Sequence, residues 1–160
     1  MNQPQRIFIV GHHGAGKGLL AKSVAQLLGW QFVDADFGLE SHVGRHLSEI
    51  LGSLGSDAFY DCQFDILSSL CIQENIVVTT DSSVVLSLKN RQLLRNEMTV
   101  FLDVSTPVQI DRTARNATSL LPIPSLSNFF DRLHDERDNL YKEVATFTIH
   151  GDDGKLEEHT

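Results

Sequence analysis

The eight residues Gly11–Gly18 constrain the fold of this chain more than any other segment. They read Gly-His-His-Gly-Ala-Gly-Lys-Gly and lie between a short apolar run, Ile7–Val10, and an amphipathic stretch, Lys17–Leu28. A Gly-x-x-x-x-Gly-Lys pattern between a strand and a helix is typical of a loop whose backbone N–H groups surround a phosphate, next to the positive end of the helix dipole. We therefore predict a strand, a phosphate-binding loop and a helix, in that order.

The loop supplies most of the predicted contacts to a nucleotide. These contacts are Gly11, His12, His13, Gly14, Ala15, Gly16, Lys17, Gly18 and Leu19. Lys17 would place a point charge on the outer phosphates. His12 and His13 would contact phosphate or substrate only when protonated, and since histidine is mostly neutral at pH 7 we expect them to be exposed loop side chains. Such loops normally continue with Ser or Thr, whose hydroxyl helps to hold Mg²⁺, but Gly18 and Leu19 provide no hydroxyl.

Apolar runs alternate with amphipathic stretches along the rest of the chain. The predicted strands are Ile7–Val10, Gln31–Asp36, Ile76–Thr80, Thr99–Val104 and Thr146–His150. The predicted helices are Lys17–Leu28, two short ones within Phe37–Leu54, then Asp57–Gln73, Ser87–Asn96, Thr106–Arg115 and Ser125–Val144. This alternation predicts a three-layer α/β/α architecture with a five-stranded parallel sheet covered on both faces. In the first helix, Leu20, Val24, Leu27 and Leu28 are predicted to share the buried face, and Gly29 to end the helix.

Length and charge exclude several classes of protein. The 160 residues fit one domain, predicted over residues 1–150, followed by a polar tail at 151–160. A net charge of −8 gives no general attraction to nucleic acid or to an anionic membrane. No run approaches the roughly 20 apolar residues that span a bilayer, and the start lacks the features of a signal peptide. We expect a cytoplasmic protein, which its two cysteines, Cys62 and Cys71, fit.

Two carboxylates close the second predicted strand, in the sequence Asp34-Ala35-Asp36. Their two-residue spacing places both on one side of an extended chain, at the edge where parallel sheets bind ligands. Asp34 is suited to orient Mg²⁺ or its water, and Asp36 to accept a hydrogen bond from a substrate hydroxyl and help to remove its proton. Alternatively, Asp36 caps a helix that begins at Phe37.

Three segments together resemble the shikimate kinase family. They are Gly11–Lys17, the sequence VDAD at Val33–Asp36, and the sequence ERDNLYKEVA at Glu136–Ala145. The resemblance runs from Ile7 to Ile149. It implies a P-loop nucleoside-triphosphate-binding kinase fold and transfer of the γ-phosphoryl group of ATP to the 3-hydroxyl of shikimate, with Mg²⁺ as cofactor. The implied partners are a nucleotide and a small-molecule acceptor, and protein partners stay open.

The resemblance also assigns roles to single residues. Lys17 matches the lysine that binds phosphate, and Asp34 matches the acid near the metal, which it would contact through water. Asp36 matches the acid that holds the shikimate hydroxyls, so that Lys17 and Asp36 are the implied catalytic residues. Arg112 lies in a segment similar to the family's adenine-contacting helix.

Two further residues are assigned to the substrate by the same resemblance. Arg137 matches an arginine that pairs with the shikimate carboxylate, a task that suits a planar guanidinium. From the residues alone, an ion pair with Asp135 or Asp138 on the helix face explains Arg137 equally well. Ser82 stands in Asp81-Ser82-Ser83, where the family has a run of glycines that meets the substrate.

The chain departs from the family pattern at several positions. Besides the missing hydroxyl after Lys17, Tyr60 stands where the family has a substrate-binding arginine, and the glycine run is replaced. In the lid, predicted near residues 116–124, Thr118–Leu121 replaces an Arg-Pro-Leu-Leu segment. Arg115 or Arg132 would have to supply the lid arginine. Three hypotheses remain open: a working shikimate kinase, a kinase for another acceptor, and a non-catalytic nucleotide-binding or regulatory kinase-like protein.

Overall fold

The structure is a computed structural model that describes residues 5–36, 60–115 and 123–151, with residues 112–115 and 123–126 described by their backbone alone. The strands are β1 Arg6–Val10, β2 Gln31–Ala35, β3 Ile76–Thr80, β4 Met98–Asp103 and β5 Phe147–His150. The helices are α1 Lys17–Leu28, α2 at residues 60–70, α3 Leu88–Arg95, α4 Thr106–Arg115 and α5 Ile123–Val144, with a 3₁₀ turn at Val84–Leu86.

All five strands belong to one parallel sheet, in the order β2-β3-β1-β4-β5. This confirms the predicted five-stranded parallel sheet. The pairing register aligns Ala35 with Thr80, and the next residues, Asp36 and Asp81, therefore leave the sheet at the same edge. The loop that follows the central strand β1 leaves at this edge as well, so the predicted chemistry of three strands meets there.

The sheet is buried on both faces, as the unbroken apolar runs of its inner strands require. Successive residues of a strand point to opposite faces, and β1 shows this directly. Phe8 packs in a cluster with side chains of α2, α3 and α5, whereas Ile9 packs in a second cluster with side chains of α1. The helices thus form two layers around the sheet, which confirms the three-layer α/β/α prediction.

The buried face of α1 differs from the predicted one. Leu20 is fully buried, but the side chains of Leu27 and Leu28 are 68% and 47% exposed. The buried residues near the sheet include Ala21 and Ala25, whose small side chains let the helix approach β3 closely. Gly29 ends the helix as predicted, in a left-handed conformation with φ of 70°.

Element ends differ by a few residues from the predictions. The helix predicted at Asp57–Gln73 is helical at residues 60–70 within the described part, α5 begins at Ile123, and the last strand begins at Phe147. The helices predicted within Phe37–Leu54, the lid segment at 116–122 and the tail at 152–160 lie outside the described residues. Among the residues that are described, no helix has the length and apolar character needed to cross a membrane.

Candidate functional site

The loop between β1 and α1 has the backbone geometry that its glycines predict. At Gly11, where φ is 154°, an added Cβ would lie 2.8 Å from the carbonyl oxygen of Leu102 on β4. At Gly16, the residue before the helix, φ is 100°, a conformation that side chains rarely adopt. Both positions therefore require glycine, and the loop turns tightly between the central strand and the N-terminus of α1.

Lys17 folds back along this loop. Its Nζ donates hydrogen bonds to the carbonyl oxygens of Gly11 and His12, each at 2.9 Å, and the residue is only 5% exposed. The ammonium is thus held against the loop with little access to water, so its charge is weakly screened. This is the environment in which a cation interacts strongly with a phosphate, and the role of Lys17 in binding one stays a prediction.

The carboxylate of Asp34 is fixed by two hydrogen bonds. Its Oδ1 accepts from the backbone N–H of Asp36 at 2.9 Å and from the hydroxyl of Thr79 on β3 at 3.0 Å. Asp36 follows at the sheet edge and is partly buried. At Gly18 an added Cβ would meet nothing within 4 Å. The space for a side chain with a hydroxyl is present beside the loop, but the sequence supplies none.

The residues after β3 fill the place of the expected glycine run with buried side chains. Asp81 is 2% exposed, and its Oδ1 accepts hydrogen bonds from the N–H and the hydroxyl of Ser83, at 3.0 and 2.6 Å. The carbonyl oxygen of Ser82 accepts a bond of 2.6 Å from the hydroxyl of Tyr141 on α5. The turn is therefore held by its own side chains and by α5.

The two loop histidines are not exposed, so the expectation for them is wrong. His12 has no exposed surface, and His13 is half-buried. Burial lowers the pKa of His12 to about 4, although the hydrogen bond to Asp138 opposes the shift. Burial and, after it, the Lys17 ammonium lower the pKa of His13 to about 4. Both rings are uncharged at pH 7, because burial disfavours the charged form, and neither adds a cation to the loop.

A group of polar side chains from α4 and α5 packs against the loop. Asp138 on α5 accepts a bond of 2.6 Å from His12 Nε2 and one of 2.9 Å at Oδ2 from His134 Nδ1. Burial raises the pKa of Asp138, but the hydrogen bonds from both histidines outweigh burial and hold this pKa well below its ordinary value. Gln109 on α4 donates from Nε2 to the carbonyl oxygen of His13 at 2.7 Å. The sequence predictions gave no role to Gln109 or His134 and named Asp138 only as a possible partner of Arg137. The four-residue spacing of His134 and Asp138 on a predicted helix was the signal that could have paired them.

The predicted arginines lie in different environments. Arg137 on α5 is fully buried, so it does not lie on a solvent-exposed face of the helix. The next residue along the helix, Asp138, bonds to His12 and so brings this turn of α5 against the phosphate loop. The guanidinium of Arg132 lies 6.0 Å from the ring centroid of Phe129. The side chains of Arg112 and Arg115 lie outside the described part of the chain, and α4 carries both residues.

Comparisons with known proteins all point in one direction. The family model described as shikimate kinase matches residues 13–160. A shikimate kinase of Nitratidesulfovibrio vulgaris is 35% identical over 153 residues, which cover 92% of this chain and 87% of that protein. A shikimate kinase of Vibrio parahaemolyticus is 32% identical over 155 residues, covering 96% of this chain and 90% of the relative.

Solved structures agree with the sequence matches. The shikimate kinase from Acinetobacter baumannii in complex with shikimate has a TM-score of 0.79 and 28% identity, covering 98% of this chain and 89% of that one. A gluconokinase from Sinorhizobium meliloti has a TM-score of 0.57 and 22% identity, and the match covers 94% of this chain and 84% of that one. This likeness concerns the fold alone. These matches confirm the predicted P-loop nucleoside-triphosphate-binding kinase fold.

Proposed function

The chain belongs to the shikimate kinase family, and we propose that it transfers the γ-phosphoryl group of ATP to the 3-hydroxyl of shikimate. The observation that carries the proposal is the phosphate loop of this fold, in which Lys17 is buried and held by the carbonyl oxygens of Gly11 and His12. A lysine in that position, at the N-terminus of a helix after the central strand, is suited to bind the outer phosphates of ATP.

The nucleotide half of the proposed site is formed by backbone and by two cations. The N–H groups of Gly11–Gly18, continued by Leu19 on α1, surround the phosphates, and Lys17 adds its charge. Arg112 on α4 is the residue that we assign to the adenine base. Phosphoryl transfer needs positioning and neutralisation of charge more than covalent chemistry, so a rigid loop with a buried ammonium supplies much of what the reaction requires.

The acceptor half combines Asp36, Ser82 and Arg137. Asp36 accepts a hydrogen bond from the reacting hydroxyl and takes its proton as the oxygen bonds to the γ-phosphorus, while the bond from that phosphorus to the bridging oxygen breaks and ADP leaves. The buried guanidinium of Arg137 pairs with the carboxylate of shikimate, an attraction that low exposure to water strengthens. The carbonyl oxygen of Ser82 is engaged by Tyr141, and the Ser82 hydroxyl is the group that we assign to the substrate.

Mg²⁺ fits the residues at the end of β2 if water completes its shell. The ion usually keeps several waters and is held by one or two carboxylates together with substrate phosphates. Asp34, fixed by Thr79 and by the backbone of Asp36, provides such a carboxylate. When bound, Mg²⁺ neutralises charge on the phosphates of ATP. Because Gly18 contributes no hydroxyl, we expect this chain to need more Mg²⁺ than a loop that ends in Lys-Ser or Lys-Thr.

The proposal also covers the domain bounds, the lid arginine and the location of the protein in the cell. One kinase domain spans residues 1–150, its lid lies near 116–124, and residues 151–160 form a tail. For the lid arginine we favour Arg115 at the end of α4, because the Arg132 guanidinium already lies over Phe129. We place the protein in the cytoplasm, where two free thiols, Cys62 and Cys71, remain reduced.

The test is release of ADP from Mg·ATP, measured with and without saturating shikimate. The purified chain is compared with Lys17→Met and with Lys22→Met, the matched control that removes an exposed lysine of α1 outside the loop. The proposal predicts shikimate-dependent turnover that falls by at least about 100-fold in Lys17→Met, as expected when a preorganised charge at the transferring group is lost. Lys22→Met should match the unaltered chain.

Two other outcomes identify different functions. ADP binding that depends on Lys17, without turnover on shikimate or on related hydroxy acids, would replace the proposal by a non-catalytic nucleotide-binding protein. Turnover with a hydroxyl acceptor that lacks a carboxylate, but none with shikimate, would point to an altered acceptor and to Asp81 as its cause, because that buried acid disfavours an anionic ligand.

A further inference from the structure

Three potential metal ligands meet behind the phosphate loop. His12 comes from the loop itself, while His134 and Asp138 lie one turn apart on α5. One ligand atom from each residue lies within 4.8 Å of the other two. His12 is fully buried, and the side chains of His134 and Asp138 are 14% and 29% exposed.

Gln109 fixes the orientation of the His134 ring. Because Gln109 Nε2 donates to the carbonyl oxygen of His13, its Oε1 is the atom that faces His134 Nε2, at 3.1 Å. An amide oxygen only accepts hydrogen bonds, so His134 Nε2 carries the hydrogen. The bond that Asp138 accepts from His134 Nδ1, at 2.9 Å, therefore needs a second proton on the ring. A metal ion can take the place of that proton between the nitrogen and the carboxylate oxygen.

We propose that His12 Nε2, His134 Nδ1 and the Asp138 carboxylate bind a divalent transition metal ion of the zinc class. Two imidazoles and one carboxylate form a donor set that suits zinc, whereas Mg²⁺ and Ca²⁺ prefer oxygen alone. A metal-bound histidine usually donates its second N–H to an oxygen, and His134 has this partner in Gln109.

Metal binding requires the three side chains to shift. Asp138 Oδ1 lies 2.6 Å from His12 Nε2 and 3.1 Å from His134 Nδ1. Around a tetrahedral zinc ion with bonds of about 2.0–2.1 Å, neighbouring ligand atoms are about 3.4 Å apart. Oδ1 therefore needs to move away from the two nitrogens by about 0.3–0.8 Å. The rings of His12 and His134, whose centroids are 3.9 Å apart, also need to open so that both nitrogens face the ion. The bound ion joins the phosphate loop to α5, the helix that carries Arg137, so the site stabilises the loop rather than taking part in phosphoryl transfer.

The test measures metal binding by the whole chain in the absence of ATP and shikimate. Chelator-treated, tag-free protein is titrated calorimetrically with Zn²⁺, and with Co²⁺ while visible absorption is recorded. We expect one ion per chain and d–d bands of a low-coordinate Co²⁺ site. His134→Gln and Asp138→Asn should each weaken binding by at least about 100-fold, because loss of an outer partner alone costs 10–100-fold. His150→Gln, which removes a histidine that is 76% exposed on β5, should leave binding unchanged.

Several results would overturn the proposal. Equal zinc affinity in all four proteins would place the metal elsewhere, and no zinc binding by the unaltered chain would show that protons alone hold the cluster together. If either variant misfolds by circular dichroism, X-ray absorption of the unaltered chain with one zinc ion decides. Two imidazole ligands support the site, and fewer than two contradict it. None of these readouts depends on kinase activity.

Discussion

A pair of glycine substitutions in the phosphate loop tests the loop geometry through opposite effects on stability. In Gly11→Ala the new Cβ would lie 2.8 Å from the Leu102 carbonyl oxygen, a backbone atom that cannot rotate away. Overpacking lowers the unfolding free energy by about 1–3 kcal/mol, and an unfavourable φ lowers it by about 1–3 kcal/mol. The reduced conformational freedom of the unfolded chain raises it by about 0.4–1 kcal/mol. We therefore expect Gly11→Ala to lose about 3 kcal/mol of unfolding free energy.

Gly18→Ala is the matched control for this substitution. Gly18 lies in the first turn of α1 and an added Cβ there meets nothing within 4 Å, so alanine should stabilise the helix by about 0.5–1 kcal/mol. Urea unfolding followed by circular dichroism measures the unfolding free energy of both variants. In thermal unfolding, the Tm of Gly11→Ala should fall by about 6–12 °C for a domain of this size. A Gly11→Ala protein within 1 kcal/mol of the unaltered chain, or equal effects at the two positions, would refute the close approach of β1 and β4 at Gly11.

Three further predictions concern single groups. Tyr141→Phe removes the buried hydroxyl that donates to the Ser82 carbonyl oxygen and should cost about 1–2 kcal/mol in urea unfolding. Burial raises the pKa of the Cys71 thiol, so iodoacetamide should modify exposed Cys62 first and Cys71 only as the pH rises. Peptide mass spectrometry follows both modifications, and faster modification of Cys71 would contradict its burial. Gly18→Thr adds a hydroxyl in open space and should lower the Mg²⁺ concentration that gives half-maximal turnover, whereas an unchanged or higher requirement would separate position 18 from the metal.

The sheet could be predicted because its strands are short and unbroken in apolar character. A parallel sheet buried on both faces needs such runs, and Ile76–Thr80 is buried along its whole length. In α1, helical periodicity predicts that the large side chains of Leu27 and Leu28 are buried, but both are exposed. Contact with the sheet instead selects Ala21 and Ala25, since close packing of a helix on a sheet depends on small residues as much as on apolar ones.

The candidate site was predictable where one backbone segment defines it. The glycines and Lys17 of the loop occur in a single pattern, and the structure shows the tight turn which that pattern requires. The burial of His12 has no signal in the loop sequence, because it depends on the rings of His134 and Tyr141, which lie against it from a helix more than 120 residues later. The amide of Gln109 gave no signal, because a glutamine on a helix is ordinarily solvated and only the tertiary fold brings it to the loop.

The most direct test of the central claim identifies the product of the reaction. ³¹P NMR of the purified chain with Mg·ATP and shikimate follows the γ-phosphate in real time, with Lys17→Met measured in parallel. The account predicts a growing phosphomonoester resonance on shikimate, matched by ADP and absent from the Lys17→Met sample. Unchanged ATP, or γ-phosphate that appears only as inorganic phosphate, would contradict the claim that this chain phosphorylates shikimate.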